Sequence, residues 1–237
     1  MVETVAAGLQ RGTTKIGAGS GSWVSNAVAY ASAFAASSMD YVDLHIYPVD
    51  AGSLVRAQGE VDAIRAVGKP VLLDEVWLYK IGASEPPPTD FNGTSEIFKR
   101  DNFSFWSPLD VRLLTLVKQF ARANGIAYVA PFWTTFFWGY ADYGPATQNL
   151  TYGQVAQLAN QASYAGMQTD AFTATGQAWR VAAPLPVGGV ASAPVAPAPI
   201  ASRSQPGTAA PLWALFAIAV AVVAMVGAAA CVVRRRA

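Results

Sequence analysis

The sequence predicts an α/β domain of repeated parallel β/α units, followed by a spacer and one membrane-spanning segment. Three observations carry this reading. Strand-like and helix-like stretches alternate through residues 1–182, the pattern of a parallel sheet with crossover helices. Proline recurs through residues 183–211, which favours extended structure and cannot build a core. Leu212 to Val233 is a run of 22 residues without a charged side chain, and about 20 such residues span hydrocarbon.

The elements follow in order. Residues 2–9 read as the end of a helix closed by Gly12, and residues 15–18 as a short strand entering the glycine-rich turn 17–22. Residues 26–36 are a helix of small side chains, and residues 41–47 (YVDLHIY) a strand rich in β-branched and aromatic residues. Asp50 can cap a helix that runs to Val67 and stops at Gly68. Residues 70–73 form a strand ending in Asp74-Glu75-Val76-Trp77, and residues 78–106 a long loop. Ser107-Pro108-Leu109-Asp110 opens a helix with Ser as N-cap, and Leu109, Leu113, Leu116, Val117 and Phe120 form its apolar face. Asn124-Gly125 ends it, and residues 126–132 are the fourth strand. Thr151 opens a final helix with Val155, Leu158 and Ala162 on one face, and residues 172–181 close the domain.

Composition removes several functions. Residues 1–233 carry net charge −2, against a nucleic-acid binder that neutralises phosphates. One cysteine, Cys231, excludes an internal disulfide, and one histidine, His45, excludes zinc sites of several histidines. No metal or organic cofactor is implied. The turn Gly17-Ala18-Gly19-Ser20-Gly21-Ser22 invites a nucleotide reading, but Ser22 stands where a dinucleotide fingerprint needs glycine, and no P-loop lysine follows Gly21.

The tail sets the expected location. Arg234, Arg235 and Arg236 follow the apolar run and place the C-terminus, residues 234–237, in the cytoplasm. The domain before Leu212 is then extracellular on a single-pass anchor. No basic-then-apolar leader opens the sequence, so the expectation is that the natural beginning precedes Met1.

The strand ends carry the chemistry. His45 and Tyr47 close the second strand on one face, Glu75 and Trp77 close the third, and Trp133 follows the fourth, with Trp138 in the aromatic-rich loop beyond. Asp74, next to Glu75, is expected to point the other way, towards the helices. Aromatic rings stack on the apolar faces of sugars, and a few fixed polar groups bind their hydroxyls. The alternative for Glu75 is an ion pair with Lys69 or Arg65.

This order resembles the last three strands of the cellulase-like (β/α)8 retaining glycoside hydrolases, clan A and family 5-like. The resemblance covers about residues 1–180. It implies that Glu75 is the nucleophile, that Tyr47 hydrogen-bonds it, and that His45, Trp77, Trp133 and Trp138 contact a carbohydrate substrate. It also implies a partial TIM barrel, the last four β/α units, lacking its N-terminal half. That family's acid/base is a glutamate after asparagine, and no Asn-Glu pair occurs here. A fragment without its acid is expected to be inactive. The rival reading is a membrane-anchored protein that binds carbohydrate without cleaving it. A third, proton abstraction beside a carbonyl, lacks the metal-binding carboxylates it usually needs.

Overall fold

Buried apolar residues recur along three of four short strands, and the four pair side by side in chain order. A computed structural model describes Gly8, residues 12–82, Glu85 and residues 91–181. The strands are β1 (Gly17–Gly21), β2 (Tyr41–Ile46), β3 (Val71–Val76) and β4 (Val129–Pro131), all parallel. The helices are α1 (Ala27–Ala35), α2 (Ser53–Ala66), α3 (Phe91–Asp101), α4 (Ser107–Ala123), α5 (Tyr152–Gln168) and α6 (Ala174–Val181). The protein is therefore α/β with a four-stranded parallel sheet.

The chain divides into two compact units, Met1–Glu85 with Ile97–Ser192 and Pro86–Glu96 with Ala193–Ala237. Of the second, only residues 91–96, the opening of α3, are described. The sheet and everything below belong to the first.

Val42, Leu44 and Ile46 of β2 pack with Val71, Leu73 and Val76 of β3 against Ala31, Val61, Ile64 and Val117 of the helices. Each large aliphatic side chain so buried stabilises the fold by about 1.5–3 kcal/mol. Period-two alternation sends Asp43 and His45 to the other face.

β1 is the first departure from the expected elements. Residues 17–21, read as a turn, are the strand itself. Gly17 lies opposite Tyr41, Gly19 opposite Asp43 and Gly21 opposite His45. A Cβ on Gly17 would stand 2.2 Å from the Tyr41 ring, and one on Gly19 3.1 Å from Nε2 of His45. The glycines are thus a strand face kept bare for the side chains that lie over it. On the opposite face Ser20 Oγ donates to the buried Glu60 carboxylate.

β3 is the second departure. Asp43 pairs with Leu72 and His45 with Glu75, so two residues of β2 face three of β3. The same extra residue appears against β4, where Leu73 pairs with Val129 and Val76 with Pro131. This is a β-bulge. Both Leu73 and Val76 face the helices, so Glu75 falls beside His45. Asp74, expected to point towards the helices, instead lies next to Asp43, whose Oδ1 accepts its backbone N–H at 3.0 Å.

The expected loop 78–106 contains α3 and a short 3-10 turn, Ser104–Trp106. It also carries Lys80, a fully buried cation. Its Nζ lies 3.0 Å from Asp101 and 2.5 Å from Asp110, and Tyr140 Oη donates to Asp110 at 2.9 Å. Burial, opposed by Lys80, pushes Asp101 up to about 7. This network changes how α4 begins. Ser107 lies inside the helix after Trp106, without a side-chain cap, and Asp110 is spent on Lys80. Its buried face is Leu113, Leu114, Val117 and Ala121, while Leu116 and Leu109 are exposed. Thr151 and Gln154 cap α5 reciprocally. Leu158 of α5 is exposed, and its buried stripe is Val155, Ala159, Ser163 and Gly166.

Among the described residues no helix is long and apolar enough to cross a membrane. The expected helix 2–9, spacer 183–211 and span 212–233 lie outside the described residues, save Gly8.

Removing Lys80 should unfold this corner, because two buried carboxylates would lose their counter-charge. Lys80→Met is expected to cost about 3–5 kcal/mol in urea unfolding at pH 7. The loss should shrink in Lys80→Met/Asp101→Asn, which removes one of the stranded charges.

Candidate active site

β2 and β3 bring four polar side chains into one hydrogen-bonded chain. Asp43 Oδ2 lies 2.7 Å from Nε2 of His45, and His45 Nδ1 lies 2.8 Å from Oε2 of Glu75. Tyr47 Oη donates to Oε1 of Glu75 at 2.5 Å. Both carboxylate oxygens of Glu75 thus accept a bond from β2 or the residue just beyond it. His45, Tyr47 and Glu75, expected together, stand together. The alternative pairing of Glu75 with Lys69 is not made: Lys69 Nζ donates to the backbone carbonyl of Ser37.

The charges follow from this geometry. Burial disfavours the imidazolium, but its hydrogen bonds to Asp43 and Glu75, with their charges, outweigh it and push His45 up to about 10. Burial raises the Glu75 carboxyl, and the bonds from His45 and Tyr47 overcome that and hold it below its usual value. Burial, then the Glu75 charge, pushes the Tyr47 phenol up, so it remains a donor. Asp74 is raised by burial and by Asp43, with His45 opposing. Near neutral pH His45 is an imidazolium, Glu75 a carboxylate and Tyr47 a phenol.

Aromatic rings surround it. Trp23, just past β1, meets Tyr47 edge-on at 5.5 Å and lies 6.3 Å from the His45 ring. Tyr79 and Phe132 lie 5.1 and 6.1 Å from Tyr47. Phe132 carries Trp133 at 4.7 Å, edge to face. Trp133 is partly buried and borders the same aromatic set.

Two other expected members are Trp77 and Trp138. Trp77 is 1% exposed, packed on Phe136 and under the Lys80 cation, and its ring offers no face to a ligand. Trp138 is tilted against Phe172 at 4.0 Å and, like Trp133, is partly buried against the same aromatic set.

Sequence reasoning missed Asp43, Trp23, Tyr79 and Phe132. Asp43 carried a readable signal, since Asp43, His45 and Tyr47 share the period of two. Trp23 carried none while residues 17–22 were read as a turn. The site residues are acidic, aromatic and hydroxylic. Among the described residues no group of three or more metal-binding side chains converges.

The pH dependence of stability has a definite sign. The raised His45 pKa contributes stability that is complete below its unfolded value, about 6.5, and is lost as pH rises through about 10. The lowered Glu75 pKa contributes stability present above its ordinary value of 4.5 and lost as pH falls through its folded one. The difference in urea midpoint between wild type and His45→Gln should therefore be widest near pH 6 and narrow steadily towards pH 10. A difference constant across that range would contradict the charge pattern described.

Neither family models, nor curated proteins, nor solved structures match this chain.

Proposed function

We propose that this domain belongs to an extracellular O-glycosyl hydrolase of the retaining type, with Glu75 as its nucleophile. The observation that carries the reading is the convergence of Tyr47 and His45 on the two oxygens of one ionised, partly exposed carboxylate. A nucleophilic carboxylate must be unprotonated, aimed, and close to aromatic surface that can hold a sugar ring. Glu75 has these features, with Trp23, Phe132 and Trp133 nearby.

In this reaction an oxygen of Glu75 attacks the anomeric carbon as the bond to the leaving oxygen breaks. The leaving oxygen keeps the electron pair and takes a proton from an acid. Water then cleaves the glycosyl ester with that acid, now deprotonated, as base. Retaining enzymes place the two carboxyl groups about 5–5.5 Å apart on opposite sides of the scissile bond. Asp43 is tied to His45, and Asp74 follows the same sheet. The reading therefore assigns the acid to a strand end outside the described residues.

The sheet fits this assignment. Among the described residues β1 pairs only with β2 and β4 only with β3, in the chain order of a (β/α)8 barrel. In this reading the four strands are the last half of such a barrel. The other half completes the cleft, and the apolar run 212–233 anchors the protein to a membrane. The substrate is an oligo- or polysaccharide, and no metal or organic cofactor takes part.

A leaving group that needs no proton tests Glu75 without its acid. Dinitrophenyl glycosides of glucose, mannose and galactose, fluorinated beside the anomeric carbon, release dinitrophenolate and leave a slow-turning ester. Incubated with the full chain, at least one is expected to add one fluorosugar mass to the peptide carrying Glu75. Glu75→Gln should abolish the adduct. No adduct from any of the three, or labelling that persists in Glu75→Gln, would refute the nucleophile. Sugar binding without labelling would favour a carbohydrate-binding protein.

A further inference from the structure

Asp43 lies one strand position pair away from the proposed nucleophile, yet it touches it only through His45. We propose that Asp43 is the positioning residue of this site: its Oδ2 holds Nε2 of His45, so that the ring's Nδ1–H stays aimed at Oε2 of Glu75. The catalytic meaning of this rests on the reading of Glu75 as nucleophile, whereas the holding of the ring does not.

The geometry is specific. The two ring nitrogens of His45 lie 2.7 and 2.8 Å from two different carboxylates. Where both carboxyls are ionised, both contacts are hydrogen bonds only if both nitrogens carry protons. Asp43 is itself fixed, because its Oδ1 accepts the backbone N–H of Asp74 across the strand pair at 3.0 Å. That contact sits at the bulge that brings Glu75 into register. Gly19 leaves the Asp43–His45 contact room, since a Cβ there would lie 3.1 Å from Nε2 and 3.2 Å from Oδ2. An anchored carboxylate, a two-ended imidazole and the bulge form one unit that sets where Glu75 points.

Other charges face the ring as well. Tyr47 shares its strand, Asp74 and Glu75 belong to β3, Glu60 approaches from α2, and Trp23 lies beside it. Among the described residues, only Asp43 and Glu75 hydrogen-bond the ring. Asp43→Asn keeps the size and the Oδ1 acceptor but removes the charge. An amide N–H then faces Nε2 in place of the accepting Oδ2, so Nε2–H loses the acceptor that held the ring on Glu75.

His45 is the one histidine in the sequence, so its ring signals in an NMR titration of the full chain are unambiguous. In wild type both ring nitrogens should be protonated at pH 8. In Asp43→Asn the midpoint should fall by about 1–3 pH units. The rate of Glu75 labelling by the fluoroglycoside should drop about tenfold or more, one pKa unit of lost stabilisation being tenfold. Asp74→Asn should leave the His45 midpoint nearly unchanged.

A neutral His45 ring in wild type at pH 8 overturns the proposal without any variant. So does an unchanged midpoint in Asp43→Asn, or an equal fall in Asp74→Asn, which would make the general negative field responsible. If wild type labels normally and Asp43→Asn labels at the same rate, Asp43 does not position Glu75, though Glu75 remains the nucleophile. If no labelling occurs in wild type but the midpoint falls as expected, Asp43 still holds the ring and the hydrolase reading fails.

Discussion

One extra residue in β3 is the constraint on which the rest of the site depends. Without it, alternation from Leu73 would send Glu75 to the helix side with Leu73 and Val71. The bulge lets Leu73 and Val76 both stay buried against the helices while Glu75 comes level with His45. It disturbs pairing to both neighbours, yet it is held from one side by Asp43 accepting the Asp74 N–H. Bulges are recurrent devices for re-aiming one side chain without remaking a sheet.

Charge completes what the bulge begins. Two carboxylates on adjacent strands would repel each other in a half-buried site. The imidazolium of His45 lies between them and removes that cost, and in doing so keeps Glu75 ionised. The glycine face of β1 makes this possible by leaving open the space the ring and Asp43 occupy. Glycine normally weakens a strand, and here its position marks a close approach of side chains.

A second electrostatic cluster supports the aromatic surround from below. Lys80 sits between Asp101 and Asp110 and over the Trp77 ring, and Tyr140 ties Asp110 to Thr175 of α6. That network joins the start of α4, the end of α3 and α6, on which Phe136, Trp77 and their neighbours pack. Buried pairs of this kind add little net stability but are costly to break. Their contribution here is to hold the end of α3, the start of α4 and α6 together.

Residue order alone was enough for the α/β class, most helices, and the grouping of His45, Tyr47 and Glu75. Those rest on local periodicity and on which residue types end a strand, both of which act over a few residues. Three features depended on contacts between distant segments. Residues 17–21 are a strand because Tyr41, Asp43 and His45 need their glycines bare. Asp74 and Glu75 lie where they do because β3 carries one residue more than its neighbours can match. Asp110, in the first turn of α4, is the counter-charge of a buried lysine 30 positions away. No local pattern encodes these, since each compares energies between strands or helices that meet only when the chain has folded.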